Sequence, residues 1–232
     1  MVLGIRFDNL NLEQTLLKIK EFLSGGSRHY VVLPYSSFLI ESRKDEEFRQ
    51  ILNRADLCLA DGIGPVIASR FGSEEKLRGR VTGVELIRAL FEKFGTERSF
   101  FLFGAKAGVA QEAADRLLLK YPDGKIAGTL NGYVNDQEAI DAINNVKPEI
   151  LLVALGMPKQ EKWIANNLKK LPSVRLAVGV GGAFDFISGR VKRAPKFIQK
   201  MGLEWAWRMF AQPKKFFYNL KTVVIFLKLI FT

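Results

Sequence analysis

Short apolar runs alternate along the chain with longer segments in which apolar residues recur every three or four positions. The apolar runs predict buried strands near residues 29–34, 56–60, 99–104, 124–130, 149–156 and 174–182. The segments between them, such as residues 81–95 and 107–122, have the period of amphipathic helices. Strands separated by helices of about 10–15 residues predict an α/β fold, with a Rossmann-like, mostly parallel sheet and helices on both faces.

The pattern changes after Gly182, where no further strand is predicted and the sequence becomes aromatic and basic. We therefore predict an α/β core over residues 1–189 and a helical, basic C-terminal appendage over residues 190–232. The appendage contains ten of the 35 lysines and arginines but one of the 24 acidic residues, so it carries most of the net charge of +11. Such asymmetry is typical of a protein with a nucleic-acid or membrane partner.

The last 20 residues, 213–232, favour a membrane surface as that partner. Lys214, Lys221 and Lys228 recur at every seventh position beside a broad apolar face. Because lysines interrupt the apolar run, a helix lying in the membrane interface fits better than a helix crossing the bilayer. Charges interleaved with apolar residues also suit lipid better than a nucleic-acid backbone. The alternative is a helix that docks on the core or on another subunit.

The composition excludes several classes of site. One cysteine and one histidine rule out a disulfide framework and a zinc cluster of the usual kind. The sequence lacks the GxGxxG and GxxxxGK[ST] motifs, which argues against a standard NAD or ATP site. It also lacks an Asp-x-Asp carboxylate pair, so we expect neither a metal nor a cofactor. Residues 1–14 lack the features of a signal peptide, which predicts a cytoplasmic protein.

Polar residues and glycines follow five of the predicted strands. Asp61 comes directly after one of them, where it fits a functional acid at the ligand-binding edge of the sheet or the N-cap of the next helix. Glycines at strand-to-helix turns expose backbone N–H groups that attract phosphate, although most such glycines serve only the turn. The candidate substrate-binding residues are Gly62, Arg80, Gly104, Asn131, Gly132, Tyr133, Gly156, Lys159, Gln160 and Asp185. For Asp185 the alternative is a buried residue that only forms internal hydrogen bonds.

Several stretches together resemble one family. They are "ADLCLADGIG", "RVTGVEL", "FLFGAKAGVA", "ILLVALGMPKQEKWI", "VGVGGAFDFISGRVKRAP" and "GLEWAWRMFAQPKK". The most specific patterns are G-x-P-x-Q-E and R-A-P followed by G-L-E-W-x-x-R. Over about residues 2–220, the sequence resembles the WecG/TagA/CpsF family of bacterial glycosyltransferases.

The resemblance implies an inverting, metal-independent glycosyltransferase that moves an N-acetylmannosamine-type sugar from a UDP donor. The implied acceptor is N-acetylglucosamine on a diphosphate-polyprenol lipid, in cell-wall or surface polysaccharide synthesis. It further implies that Asp61 is the general base, that Gln160 lies in the same pocket, and that the appendage brings a homo-oligomeric enzyme to the inner face of the membrane. The candidate residues for the lipid diphosphate are Arg193, Arg208, Lys214 and Lys215.

One segment departs from the family pattern. Many members have a sequence of the form T-x-N-[AS]-E that begins at the end of the strand predicted here at residues 29–34. In this chain Leu33 replaces the threonine, Tyr35 the asparagine and Ser37 the glutamate. Since these polar groups are expected near the catalytic acid, their replacement motivates an alternative function, a catalytically altered membrane scaffold that binds a UDP-sugar or a lipid.

Overall fold

The computed structural model describes residues 1–71, 75–202, 204, 206–207 and 216–231, which contain a six-stranded sheet. The strands are β1 (His29–Val32), β2 (Leu57–Cys58), β3 (Ser99–Gly104), β4 (Lys125–Leu130), β5 (Ile150–Ala154) and β6 (Leu176–Gly179). Their order across the sheet is β2-β1-β6-β5-β3-β4, and every neighbouring pair is parallel. The predicted α/β class with a parallel sheet is confirmed.

Helices connect the strands and cover both faces of the sheet. Those described are α1 (Leu12–Ser24), α2 (Ser36–Glu41), α3 (Glu46–Arg54), α4 (Ile63–Ala68), α5 (Gly83–Phe94), α6 (Val109–Lys120), α7 (Asp136–Val146), α8 (Lys159–Asn167), α9 (Ala183–Ile187), α10 (Lys196–Lys200) and α11 (Phe216–Phe231). Capping boxes at Asn11, Thr82 and Asn135 begin α1, α5 and α7. In each box the cap side chain accepts from a backbone N–H that lacks a partner within the helix.

Side chains alternate between the two faces of each buried strand, and this alternation divides the core into two layers. In β5, Ile150, Leu152 and Ala154 point into an apolar cluster shared with α1, α5, α6 and α9. Leu151 and Val153, between them, point to the opposite face, where α7 and α8 pack. Because both faces are covered, β5 is apolar at every position, as expected for a central strand of a parallel sheet.

The structure differs from the sequence prediction in three elements. Residues 36–54, predicted as one helical stretch, form α2 and α3, because Asp45 caps a new helix by accepting from the backbone N–H of Phe48 at 2.9 Å. Helix α1 was not predicted, although Asn11 and Gln14 form its capping box. Strand β2 has two residues rather than the five predicted at 56–60, and it lies at the edge of the sheet.

The residues after Gly189 that the structure describes pack on the core. Arg190 donates through Nε and Nη2 to the carboxylate of Glu112 on α6, at 2.6 Å each. Helix α11 packs against α2 and inserts Phe226 into the apolar cluster beneath α2 and α4. The division at residue 189 stays a prediction. Among the described helices, none combines the length and the apolar character that crossing a bilayer requires.

Two leucines on one helix test how far burial on this sheet face stabilises the fold. On α6, Leu117 is 2% exposed in the core, whereas Leu119, two residues later, is 86% exposed. We expect Leu117→Ala to lower the free energy of unfolding by about 2–5 kcal/mol, because it removes buried methyl groups and leaves a cavity. The control Leu119→Ala is expected to change it by less than about 0.5 kcal/mol. Equal effects in urea unfolding would contradict this account of the core.

Candidate active site

A cavity of about 350 Å³ opens at the carboxyl ends of four neighbouring strands, β2, β1, β6 and β5. The residues that follow each of these strands contribute to its wall. Helix α11 forms a further wall through Thr222, Val223, Phe226 and Leu227. In an open α/β sheet this edge is where ligands bind, so the cavity is the candidate active site.

Asp61 lines the cavity at the end of the chain segment that leaves β2. Its backbone N–H donates to the carbonyl of Pro34 at 2.9 Å, which ties the segment to the one leaving β1. Gly62, not Asp61, is the N-cap of α4, and its φ of +81° with ψ of 176° is a conformation that glycine alone adopts readily. Of the two interpretations of Asp61, the structure therefore does not support the N-cap.

Gln160 enters the cavity from the first turn of α8, at the end of β5. The side chain is 2% exposed and is held at both ends of its amide. Its Oε1 accepts from the backbone N–H of Gly181 at 3.0 Å, and its Nε2 donates to Oε1 of Glu161 at 2.5 Å. Burial raises the pKa of the Glu161 carboxyl to about 7, although the hydrogen bond from Gln160 acts in the opposite direction.

Two arginines, Arg80 and Arg193, line the cavity on either side of Glu204. Arg193 Nε donates to Glu204 at 2.9 Å, and Arg80 Nη1 donates to the same carboxylate at 3.3 Å. Burial raises the pKa of Glu204, but hydrogen bonds and charges from the two arginines outweigh it and leave that pKa below its usual value. Arg193 Nη2 also lies 3.5 Å from Oε1 of Glu85, so the two arginines face two carboxylates. An anionic ligand would bind through the N–H groups of the guanidinium groups rather than through a surplus of positive charge.

The start of α5 lies beside these arginines. Thr82, Gly83 and Val84 line the cavity, and Arg193 Nη2 donates to the Thr82 hydroxyl oxygen at 3.3 Å. That hydroxyl in turn donates to Glu85 at 2.7 Å. A twelve-residue helix therefore begins at the cavity with the positive end of its dipole, and Glu85 in its first turn offsets part of that charge.

The wall that follows β1 is largely apolar. Leu33 lines the cavity and is buried, and Tyr35 lies nearer the surface with its ring edge-on to Phe38, 5.0 Å between centroids. Ser36 and Ser37 supply the hydroxyl groups of this wall. The departures from the family pattern at residues 33, 35 and 37 therefore lie in the same cavity as Asp61.

The structure brings only part of the predicted set into the cavity. Asp61, Gly62, Arg80, Gly156, Gln160 and Arg193 line it together. The other predicted residues lie outside its lining: Gly104 at the end of β3, Asn131, Gly132 and Tyr133 after β4, Lys159 on α8 and Asp185 on α9. Gly104 has a packing role, because a Cβ there would lie 2.5 Å from the backbone of Ala154. Arg208, Lys214 and Lys215 lie outside the described residues.

Three polar residues at or beside the cavity were missed by the sequence analysis. Thr82 had a detectable signal, since T-x-x-E before an apolar run is the capping-box pattern. Glu161 and Glu204 stand in the quoted patterns G-x-P-x-Q-E and G-L-E-W-x-x-R, but the patterns do not show that Glu161 is buried beside Gly179 or that Glu204 pairs with the distant Arg80. Within the described ranges, no group of three or more His, Cys, Asp or Glu residues could hold a metal ion.

The arrangement provides a carboxylate, a fixed amide and two arginine side chains around one cavity. A carboxylate can accept a proton from an attacking hydroxyl, and arginines with a helix N-terminus can bind a diphosphate. These are the groups that transfer from a sugar diphosphate requires.

Comparison with known proteins identifies relatives with such an activity in their names. Three proteins named N-acetylglucosaminyldiphosphoundecaprenol N-acetyl-beta-D-mannosaminyltransferase are similar to this chain. The protein from Bacillus subtilis is 36% identical over 172 residues, 73% of this chain and 66% of the relative. The protein from Bacillus spizizenii is 34% identical over 196 residues, which are 84% of this chain and 76% of the relative. The protein from Staphylococcus aureus is 30% identical over 231 residues, which are 97% of this chain and 89% of the relative.

The chain spans just under two thirds of the Bacillus subtilis relative and most of the Staphylococcus aureus relative. The sequence model of the family described as "Glycosyl transferase WecG/TagA/CpsF family" matches residues 1–232 of this chain. With a cavity that brings together the acid and the glutamine of the family motifs, this chain belongs to the WecG/TagA/CpsF family of glycosyltransferases.

Proposed function

We propose that the protein transfers N-acetylmannosamine from a UDP donor to N-acetylglucosamine on undecaprenyl diphosphate. The observation that carries this proposal is the convergence of Asp61, Gln160 and the Arg80–Glu204–Arg193 cluster on one cavity at the carboxyl edge of the sheet. The names of the relatives supply the sugar and the acceptor. The product would enter the synthesis of a cell-wall polymer.

The proposed reaction is a single displacement at the anomeric carbon. The acceptor hydroxyl oxygen forms the new bond to that carbon while the bond from the carbon to the UDP oxygen breaks. Asp61 takes the hydroxyl proton, and the bonding electron pair leaves with UDP. Attack from the face opposite the leaving group inverts the configuration, and one carboxylate suffices as the base.

The leaving diphosphate gains negative charge as its bond to the sugar breaks. Arg80, Arg193 and the start of α5 lie on the cavity wall where they can stabilise that charge. Glu204 holds both guanidinium groups in place before the ligand binds. In this proposal cationic side chains and backbone N–H groups neutralise the diphosphate without a divalent cation.

We also propose that α11 contacts the membrane surface. Leu220, Val224 and Leu227 are spaced for one helix face and are each more than 40% exposed. Lys221 and Lys228 lie beside that face, where they can approach anionic headgroups. Because α11 also lines the cavity, this contact would place the active site close to a lipid-linked acceptor.

A catalytically altered UDP-sugar-binding or lipid-binding scaffold is the second candidate function. The observation that favours it is the buried Leu33 in the cavity wall, where many family members have a threonine. A scaffold would bind the donor and would release no UDP when the acceptor is added.

We expect purified protein to release UDP from UDP-N-acetylmannosamine only when an N-acetylglucosamine-diphosphate lipid is present. The release is expected to persist in EDTA, because the proposed diphosphate site is built from arginines and backbone N–H groups. A coupled assay for UDP, with and without acceptor, measures both properties. Loss of release in EDTA, restored by Mg²⁺, would contradict the proposed metal independence. Donor binding without release would favour the scaffold.

We expect Asp61→Asn to lower kcat by about 100-fold or more, because an amide cannot accept the acceptor proton. Affinity for UDP, measured by titration calorimetry, is expected to change by less than about threefold, since the charge that binds the diphosphate comes from the arginines. The control Asp136→Asn changes an exposed acid at the start of α7, away from the cavity, and should keep full turnover. Near-normal turnover in Asp61→Asn would contradict the base assignment.

We expect the double variant Leu220→Asp/Val224→Asp to lose binding to vesicles that contain phosphatidylglycerol. Two exposed apolar side chains can each contribute about 1.5–3 kcal/mol when buried, so the partition coefficient should fall at least tenfold. Co-sedimentation measures the change. The control Leu17→Asp/Leu119→Asp alters exposed leucines on α1 and α6 and should sediment as the unmodified protein does. Equal sedimentation of both double variants would contradict a membrane contact through α11.

A further inference from the structure

Glu161 is a carboxyl group in an unusual position for an acid. It follows Gln160 in the first turn of α8 and is 0% exposed. Within the described part of the chain, its Oε2 has no hydrogen-bond partner and no ion pair to its carboxylate is recorded. Burying an acid in this way costs stability, so a local function has to be sought for it.

The defined side-chain contact of Glu161 is with the amide of Gln160. Oε1 of Glu161 accepts from Nε2 of Gln160 at 2.5 Å, while the Gly181 backbone N–H donates to the other end of the same amide at 3.0 Å. The two partners are an acceptor and a donor, so only one of the two flipped orientations of the amide satisfies both. The amide keeps one further N–H and one further lone pair.

The pair packs directly against the backbone of strand β6, at a position without a side chain. A Cβ at Gly179, the last residue of β6, would lie 3.0 Å from Nε2 of Gln160 and 3.0 Å from Oε1 of Glu161. Gly179 and Gln160 both line the cavity. The hydrogen-bonded pair therefore occupies the space of an absent side chain, and Gln160 of this pair forms part of the cavity wall.

We propose that Glu161 is a positioning residue that fixes the orientation of the Gln160 amide, so that its remaining N–H is presented to an oxygen atom of the sugar-diphosphate donor. The proposal rests on the proposed function for the identity of that donor. Glu161 itself does not line the cavity. Its carboxyl accepts through Oε1 whether it is ionised or protonated, so a pKa near 7 leaves the contact with Gln160 in place.

The test compares two replacements of Glu161 that differ in whether the side chain can accept a hydrogen bond from Gln160. Glu161→Gln keeps a carbonyl oxygen at the same reach, whereas Glu161→Met has a similar length and no oxygen. We expect Glu161→Met to lower kcat/KM at least about tenfold, because Gln160 then has an unsatisfied donor and a free rotation. Glu161→Gln is expected to stay within about threefold of the unmodified enzyme.

A double variant separates positioning from general support of the fold. If Glu161 acts through Gln160, then Glu161→Met should lower kcat/KM no further in a Gln160→Ala background. Additive losses would overturn the proposal, as would full activity of Glu161→Met. Thermal unfolding of each variant reports any loss of structure separately.

A measurement that needs no turnover keeps the inference independent of the proposed function. In side-chain ¹⁵N spectra, the Gln160 amide is identified by its absence from Gln160→Ala. In the unmodified protein we expect one of its two N–H protons to exchange slowly with water, and in Glu161→Gln likewise. Glu161→Met should speed that exchange at least about tenfold. Rapid exchange of both protons in the unmodified protein would overturn the proposal even if Glu161→Met fails to fold. Absence of sugar transfer with slow exchange would contradict only the proposed function.

Discussion

The parallel arrangement of the sheet is the constraint on which the site depends. Parallel strands place all their carboxyl ends at one edge, and the order β2-β1-β6-β5 puts the segment with Asp61 and the helix with Gln160 around one opening. Strand β6 is the last along the chain but lies between β1 and β5. Without this insertion, residues that are about a hundred positions apart would not share a cavity. The long-range hydrogen bonds of the sheet therefore determine the chemistry as well as the fold.

Two buried carboxyl groups, those of Glu204 and Glu161, are the second determinant of the site, and their surroundings differ. Glu204 lies between Arg80 and Arg193, so its charge is compensated and its pKa is lowered. Glu161 has no such cation in the described structure, and burial raises its pKa to about 7. One acid is thus paired with two guanidinium groups, whereas the other accepts a hydrogen bond from a neutral amide. These acids lie close to one cavity, yet their surroundings give them different properties.

The sequence predicted the features that depend on local pattern. The alternation of strands and helices, and the position of Asp61 after an apolar run, required only neighbours along the chain. The burial of Glu161 beside Gly179 and the ion pair of Glu204 with Arg80 depend on segments far away in sequence, so the motifs alone would place these acids in solvent. Likewise, the five strand-end loops were expected at one site, but those after β3 and β4 lie beyond the cavity lining. The order of the strands across the sheet decides which loops converge, and the short-range sequence pattern does not contain that order.

Helix α11 carries a consequence for how the protein can be dissected. Phe226 fills an apolar recess beside α2 and α4, and four residues of the same helix close one side of the cavity. A chain shortened before residue 216 would lose this wall and would expose the apolar recess to water. Exposed apolar surface of this kind favours self-association. Truncation therefore cannot test the proposed membrane contact without also removing one wall of the candidate active site. Point substitutions at Leu220 and Val224, which do not line the cavity, leave that wall in place.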